Sequence, residues 1–165
     1  DEVPSRGLGD VYKRQPKTHF SVCNIAEPQT GLEVKFSMRH TAAMTLADVD
    51  TGSLNSYSDD IAKRTDLIKL RDRVTIIDKP FNSRMQSEVV VHLKDKGAVH
   101  QFSDAGVPES NLDKQETKLI RKFNSLVTPI FGEETSQSIL DKCLKLETLE
   151  NVADLFNDVT LSNVS

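Results

Sequence analysis

The sequence predicts an α+β fold: a small mixed block, an antiparallel hairpin plus strands with two helices, followed by C-terminal helices. Three observations predict it. Residues 74–102 carry β-branched runs and period-2 alternation punctuated by glycine. Residues 34–71 hold two helical patterns separated by a polar loop. Beyond Pro108 the apolar period changes to 3.6 and strand signals stop. Strands and helices mixed in one part and helices alone in the next read as α+β.

At 165 residues the chain is long enough for one ordinary domain or two small ones. We divide it into a non-native leader (1–15), an α+β block (16–107), helices (108–159) and a tail (160–165). Asp1 to Gln15 has two glycines, a proline and no apolar period. It resembles translated adapter sequence and is set outside the fold, so the native sequence is expected to begin abruptly near Pro16, as a fragment.

Within the block, Thr18–Ile25 alternates and reads as a short strand, broken by Pro28 and Gly31. Val34–Val49 reads as one helix, with Gly52 in a C-cap-like place. A second helix covers Asp59–Arg71, its two aspartates complementing the helix dipole, and Val74–Ile77 reads as a strand. Ser87–Lys94 and Ala98–Phe102 form the clearest hairpin. Its turn, Asp95-Lys96-Gly97, sets Leu93 opposite Val99 and His92 opposite His100. On that register Val89, Val91 and Leu93 share one face, while Glu88, Val90 and His92 share the wetter one.

In the tail Leu119, Ile120, Phe123, Leu126, Val127 and Ile130 form a core-facing stripe stopped by Gly132. Thr135–Leu146 repeats the pattern, and Thr148 caps a last helix bearing Leu149, Val152, Leu155 and Phe156.

Composition excludes several function classes. A formal charge of −4 from 21 basic and 25 acidic residues does not suit a general nucleic-acid or anionic-membrane binder. No apolar run approaches the roughly 20 residues of a membrane helix, and no secretion signal is present, so a cytoplasmic location is expected. Cys23 and Cys143 lack metal-site spacing and read as small buried hydrophobes. His92 and His100 lack a third ligand. No phosphate loop or nucleophile elbow occurs.

The informative element is the helix around residues 36–47. At about 100° per residue, Met38, Ala42, Leu46 and Val49 share one side, and Phe36, Ala43 and Ala47 the other, flanked by His40 and Met44. A helix apolar on two sides is covered on both. One side can rest on the strands; the other needs the C-terminal helices or a missing domain. His40 on that second side can titrate near neutral pH as acid or base, or simply satisfy a backbone carbonyl. Lys35 and Arg39, four apart, can form a cationic rim for a polycarboxylate or a solvated helix edge.

The stretch Val22-Cys23-Asn24-Ile25 followed by Pro28-Gln29-Thr30-Gly31-Leu32-Glu33-Val34-Lys35-Phe36-Ser37 resembles the VCN…P-x-T-G-x-E-x-K-F-S signature of the MmgE/PrpD family. That family includes 2-methylcitrate dehydratases, cis-aconitate decarboxylases and iminodisuccinate epimerases. The segment from Leu112 to Glu150 is similar to the family's closing helices, so the resemblance covers residues 16–159. It implies a lid domain and a returning helical tail, both packing on a larger helical domain. It further implies a homodimer, no metal or organic cofactor, and chemistry on small di- and tricarboxylates. The lid's active-site position, commonly tyrosine, falls on His40. The proton-abstracting motifs belong to the helical domain and are not present, so the chain alone is expected to be inactive. A rival reading is a stand-alone α+β module whose second helix face docks a partner protein.

Overall fold

A computed structural model describes residues 7–94, 97–157 and 159. The chain divides into two compact units, one of residues up to 51 plus 55–108, the other of residues 52–54 and those from 109 onward. Both belong to an α+β chain.

The first unit is built on a four-stranded sheet in the order β2-β1-β3-β4. Its strands are β1 (Leu8–Gln15), β2 (Val74–Asp78), β3 (Gln86–Leu93) and β4 (Gly97–Asp104). β1 runs parallel to β2 and antiparallel to β3, with Val11 paired to Val74 on one side and Val91 on the other. The setting of residues 1–15 outside the fold is therefore corrected for 8–15, while 1–6 lie outside the described residues. The signal was missed because β1 has little local alternation; its neighbours supply a hydrogen-bond ladder on both edges. Val11 and Gln15 are buried there.

The β3–β4 hairpin forms where expected, with β4 running two residues past Phe102, but is shifted in register. Val91 pairs with Val99, Val90 with His100, and Leu93 with Gly97. A shift of two keeps each side chain on its expected face, because the side-chain period is two. Gly97 has φ 80°, the left-handed geometry expected of it; Asp95 and Lys96 lie outside the described residues.

The Thr18–Ile25 strand is not formed. Lys17–His19 is a single 3₁₀ turn, and the segment contributes one isolated antiparallel bridge, Asn24 with Ser37. That bridge lies at a break in the expected long helix. α1 (Gly31–Lys35) and α2 (Met38–Leu46) are separate, and Ser37 caps α2 by accepting from the His40 amide. α2 ends at Ala47, with Asp48 at φ 56°, well before Gly52. The second expected helix also splits, into α3 (Asp59–Lys63) and α4 (Thr65–Arg71), because Arg64 is extended.

These four short helices close the core. Val34 of α1, Met44 of α2, Ala62 of α3 and Leu67 of α4 form one buried cluster, with Ala47, Val49, Tyr57 and Ile61 packed against it. The second apolar face of α2 is thus covered by α3 and α4 of its own unit. This corrects the expectation that another domain or the C-terminal helices must cover it. Phe36, at the helix break, is 38% exposed.

In the second unit a long helical segment, α5 (Leu112–Cys143), is capped by the Asn111 side chain accepting from the Lys114 amide at 2.9 Å. Gly132, at φ 78° and ψ 169°, breaks it into two helices, as its place after the apolar stripe suggested. Thr148 caps no helix: Leu146–Thr148 is a 3₁₀ turn, and Asn151 instead caps a second one, Val152–Phe156. The stripe itself is only half-buried, with Leu119 and Ile130 exposed. Cys143 is exposed rather than buried, and Cys23 is intermediate.

Candidate functional site

The residues singled out from sequence occupy three different surroundings. His40 is fully buried on α2. Its Nε2 lies 3.1 Å from the Ile61 carbonyl, so the N–H sits on that nitrogen and donates to the oxygen. Nδ1 is buried without a hydrogen-bond partner among the described residues. Burial holds the imidazole pKa below its ordinary value near 6.5; the bond to Ile61 opposes this, and Arg71 and Arg64 add to the lowering. The ring is consequently neutral at pH 7.

Arg39 is half-buried on α2, with Nε enclosed and unpartnered among the described residues. Lys35 sits at the end of α1, its ammonium 5.3 Å from the centre of the Tyr57 ring. The break at Phe36–Ser37 removes the continuous helix that put Lys35 and Arg39 on one rim.

Lys35 does line a cavity of about 350 Å³ in the first unit. Around it stand Lys13 of β1, His19 of the 3₁₀ turn and Arg84 of the β2–β3 loop, with Met38, Met85 and Ala105 as apolar wall. Among the described residues no aspartate or glutamate lines it. Burial lowers the Lys13 pKa from its ordinary value. His40 and Arg39 do not line this cavity. A second cavity of about 320 Å³ lies between α2 and the sheet, bounded by Val11, Ala42, Leu46, Tyr57 and Val89.

Sequence reasoning missed Glu88. Expected on the wetter face, it is 7% exposed, and its carboxylate gathers three partners. Lys79 Nζ is at 2.7 Å, Arg14 Nη1 at 3.0 Å, and His100 Nε2 is also bonded. The Lys79 and Arg14 bonds lead in holding its pKa down to about 2. His92 lies apart, edge-on to the Tyr12 ring. Among the described residues no group of three metal-ligating side chains forms. Nor is any described helix long and apolar enough to cross a membrane.

The motif residues between 28 and 37 have a structural use. Thr30 and Glu33 form a reciprocal capping box on α1. The Gly31 amide donates to Asp59 at 2.8 Å, and its Cα packs against the Tyr57 carbonyl with no room for a side chain. Pro28 is fully buried. Comparison with known sequences gives a match to the MmgE/PrpD C-terminal domain over residues 11–146, spanning segments of both units. No curated protein matches the chain.

Proposed function

Because the chain belongs to the MmgE/PrpD family, we propose that it is the C-terminal part of a lyase acting on small di- or tricarboxylates, of the 2-methylcitrate dehydratase type. The family match over 11–146 is the observation that carries this reading. On this reading the first unit is the lid. Its partners are the substrate and a helical domain of the same protein, in a cytoplasmic homodimer that uses no metal or organic cofactor.

The chemistry breaks a C–H bond beside a carboxylate and a C–O bond on the neighbouring carbon, releasing water. The base that takes the proton belongs to the helical domain, so the lid serves to exclude water and hold carboxylates. Lys35 and Arg39 supply positive charge for that purpose. His40, neutral at pH 7, acts as a hydrogen-bond donor through Nε2–H rather than as a proton source, once the bond to Ile61 is exchanged for one to substrate. The buried position of the ring supports this division of labour, since a desolvated imidazole resists protonation. The rival module reading loses its motive, because the second face of α2 is already covered.

The test joins the chain in frame to its upstream helical region and follows water loss from 2-methylcitrate and citrate by absorbance of the unsaturated product. We expect turnover by the joined protein and none by the chain alone. His40→Gln in the joined protein lowers kcat by about 10²-fold. Turnover by the isolated chain, or none by the joined protein on any di- or tricarboxylate, contradicts the reading.

A further inference from the structure

Three sulfur-bearing side chains and one imidazole line the cavity of about 350 Å³: Cys23, Met38, Met85 and His19. The backbone gathers three of them. The Cys23 amide donates to the His19 carbonyl at 2.9 Å, closing an α-turn. Residues four apart in such a turn share one side, with roughly 5–6 Å between their Cβ atoms. The Met38 amide donates to the Cys23 carbonyl at 3.1 Å, next to the antiparallel bridge of Asn24 with Ser37. Cys23 and Met38 therefore face each other across that bridge, where Cβ atoms are about 4.5–5.5 Å apart. Met85 reaches the same cavity from the β2–β3 loop.

The donor set is soft. Cys23 is a free thiol, and neither it nor the His19 ring has a hydrogen-bond or ion-pair partner among the described residues. Met85 is 54% exposed, so its thioether is not spent on the core. The absence of a metal-ligating group of three among the described residues holds for histidine, cysteine and carboxylate side chains and leaves thioether sulfur out of the count. Zinc draws on those side chains and finds only two of them here, whereas thiolate with thioether favours Cu(I). Charge selects the same ion. Lys13, Lys35 and Arg84 line the cavity, and among the described residues no carboxylate does. A Cu(I)–thiolate pair is neutral, while a divalent ion on one thiolate keeps a positive charge that these cations oppose.

We propose that His19, Cys23, Met38 and Met85 form a binding site for a soft monovalent metal ion, Cu(I). Binding makes a Cu–S bond at Cys23 and releases the thiol proton to solvent. The imidazole nitrogen and the two thioether sulfurs are neutral donors, and no electron is transferred. The ion ties together the 3₁₀ turn, the start of α2 and the β2–β3 loop. It takes no part in the lyase chemistry, and its binding does not rest on that reading.

The experiment titrates the full chain with Cu(I), kept reduced by ascorbate under nitrogen, against the chromophoric chelator bicinchoninate. The chain is expected to withhold one Cu(I) from the chelator. Cys143 is the other thiol, exposed on the second unit, and Cys143→Ser keeps that ion. Cys23→Ser weakens binding at least about 100-fold, and Met85→Leu and His19→Gln about tenfold each. Met85 is exposed and leucine conserves its volume, so Met85→Leu separates loss of a ligand from loss of the fold. Equimolar Zn(II) leaves the bound Cu(I) in place. Binding that survives Cys23→Ser, binding insensitive to both Met85→Leu and His19→Gln, displacement by equimolar Zn(II), or no retention of Cu(I) each overturns the proposal.

Discussion

At the scale of single residues, His40 and Glu88 respond to acid in ways the geometry dictates. The His40 pKa is lower folded than unfolded, so the unfolded chain binds a proton first as pH falls. Stability is therefore constant well above 6.5 and declines as pH drops below that value toward the folded pKa. His40→Gln, which keeps a donor for Ile61 but cannot titrate, is expected to flatten this decline in urea denaturation between pH 7.5 and 5. Equal slopes for the two proteins would show that the ring is not desolvated. Glu88 has the opposite ionic character but the same sign: its stabilisation is present above about 4.5 and fades as pH falls toward 2. Neither feature was fully legible beforehand. His40 was recognisable as the polar member of an apolar face, but its acceptor, Ile61, lies 21 residues away on another helix. Glu88 looked like an outward strand residue because its three cationic partners come from residues 14, 79 and 100.

Elements show which local signals survive tertiary packing. The β3–β4 hairpin and β2 were readable because alternation, β-branching and a left-handed glycine all agreed. The helices between 31 and 71 were readable as helical yet not as four pieces. Ser37 is an N-cap embedded in continuous apolar periodicity and Arg64 turns extended inside another such run, and a periodicity argument passes over both. β1 was lost altogether, since its two ladders are long-range. The motif glycine offers a test at this scale. Gly31→Ala forces a methyl group against the Tyr57 backbone carbonyl and is expected to cost roughly 2–3 kcal/mol. Gly132→Ala meets open space but takes up φ 78°, ψ 169°, a region almost reserved for glycine, at roughly 1–3 kcal/mol. Denaturation midpoints check both; a neutral Gly31→Ala would mean that the α1–α3 contact is looser than described.

For the whole molecule, the α+β class was legible in the change of period beyond Pro108. What sequence alone placed wrongly was the cover of α2: Val34, Ala62 and Leu67 meet Met44 from three other short helices, so the first unit completes its own core. The second unit is different in kind. Leu112, Leu119, Leu144, Val152 and Phe156 remain exposed there, and an apolar groove of about 540 Å³ runs beside Phe123 and Leu140. The family reading accounts for that contrast, because a tail that packs on a helical domain of the same protein needs such a surface. The most direct measurement is the genomic sequence upstream of this reading frame. The account predicts that the frame continues upstream of β1 into a long, helix-patterned region that carries the proton-abstracting residues. An initiation codon at or just before Leu8, with a folded monomeric product in solution, contradicts it.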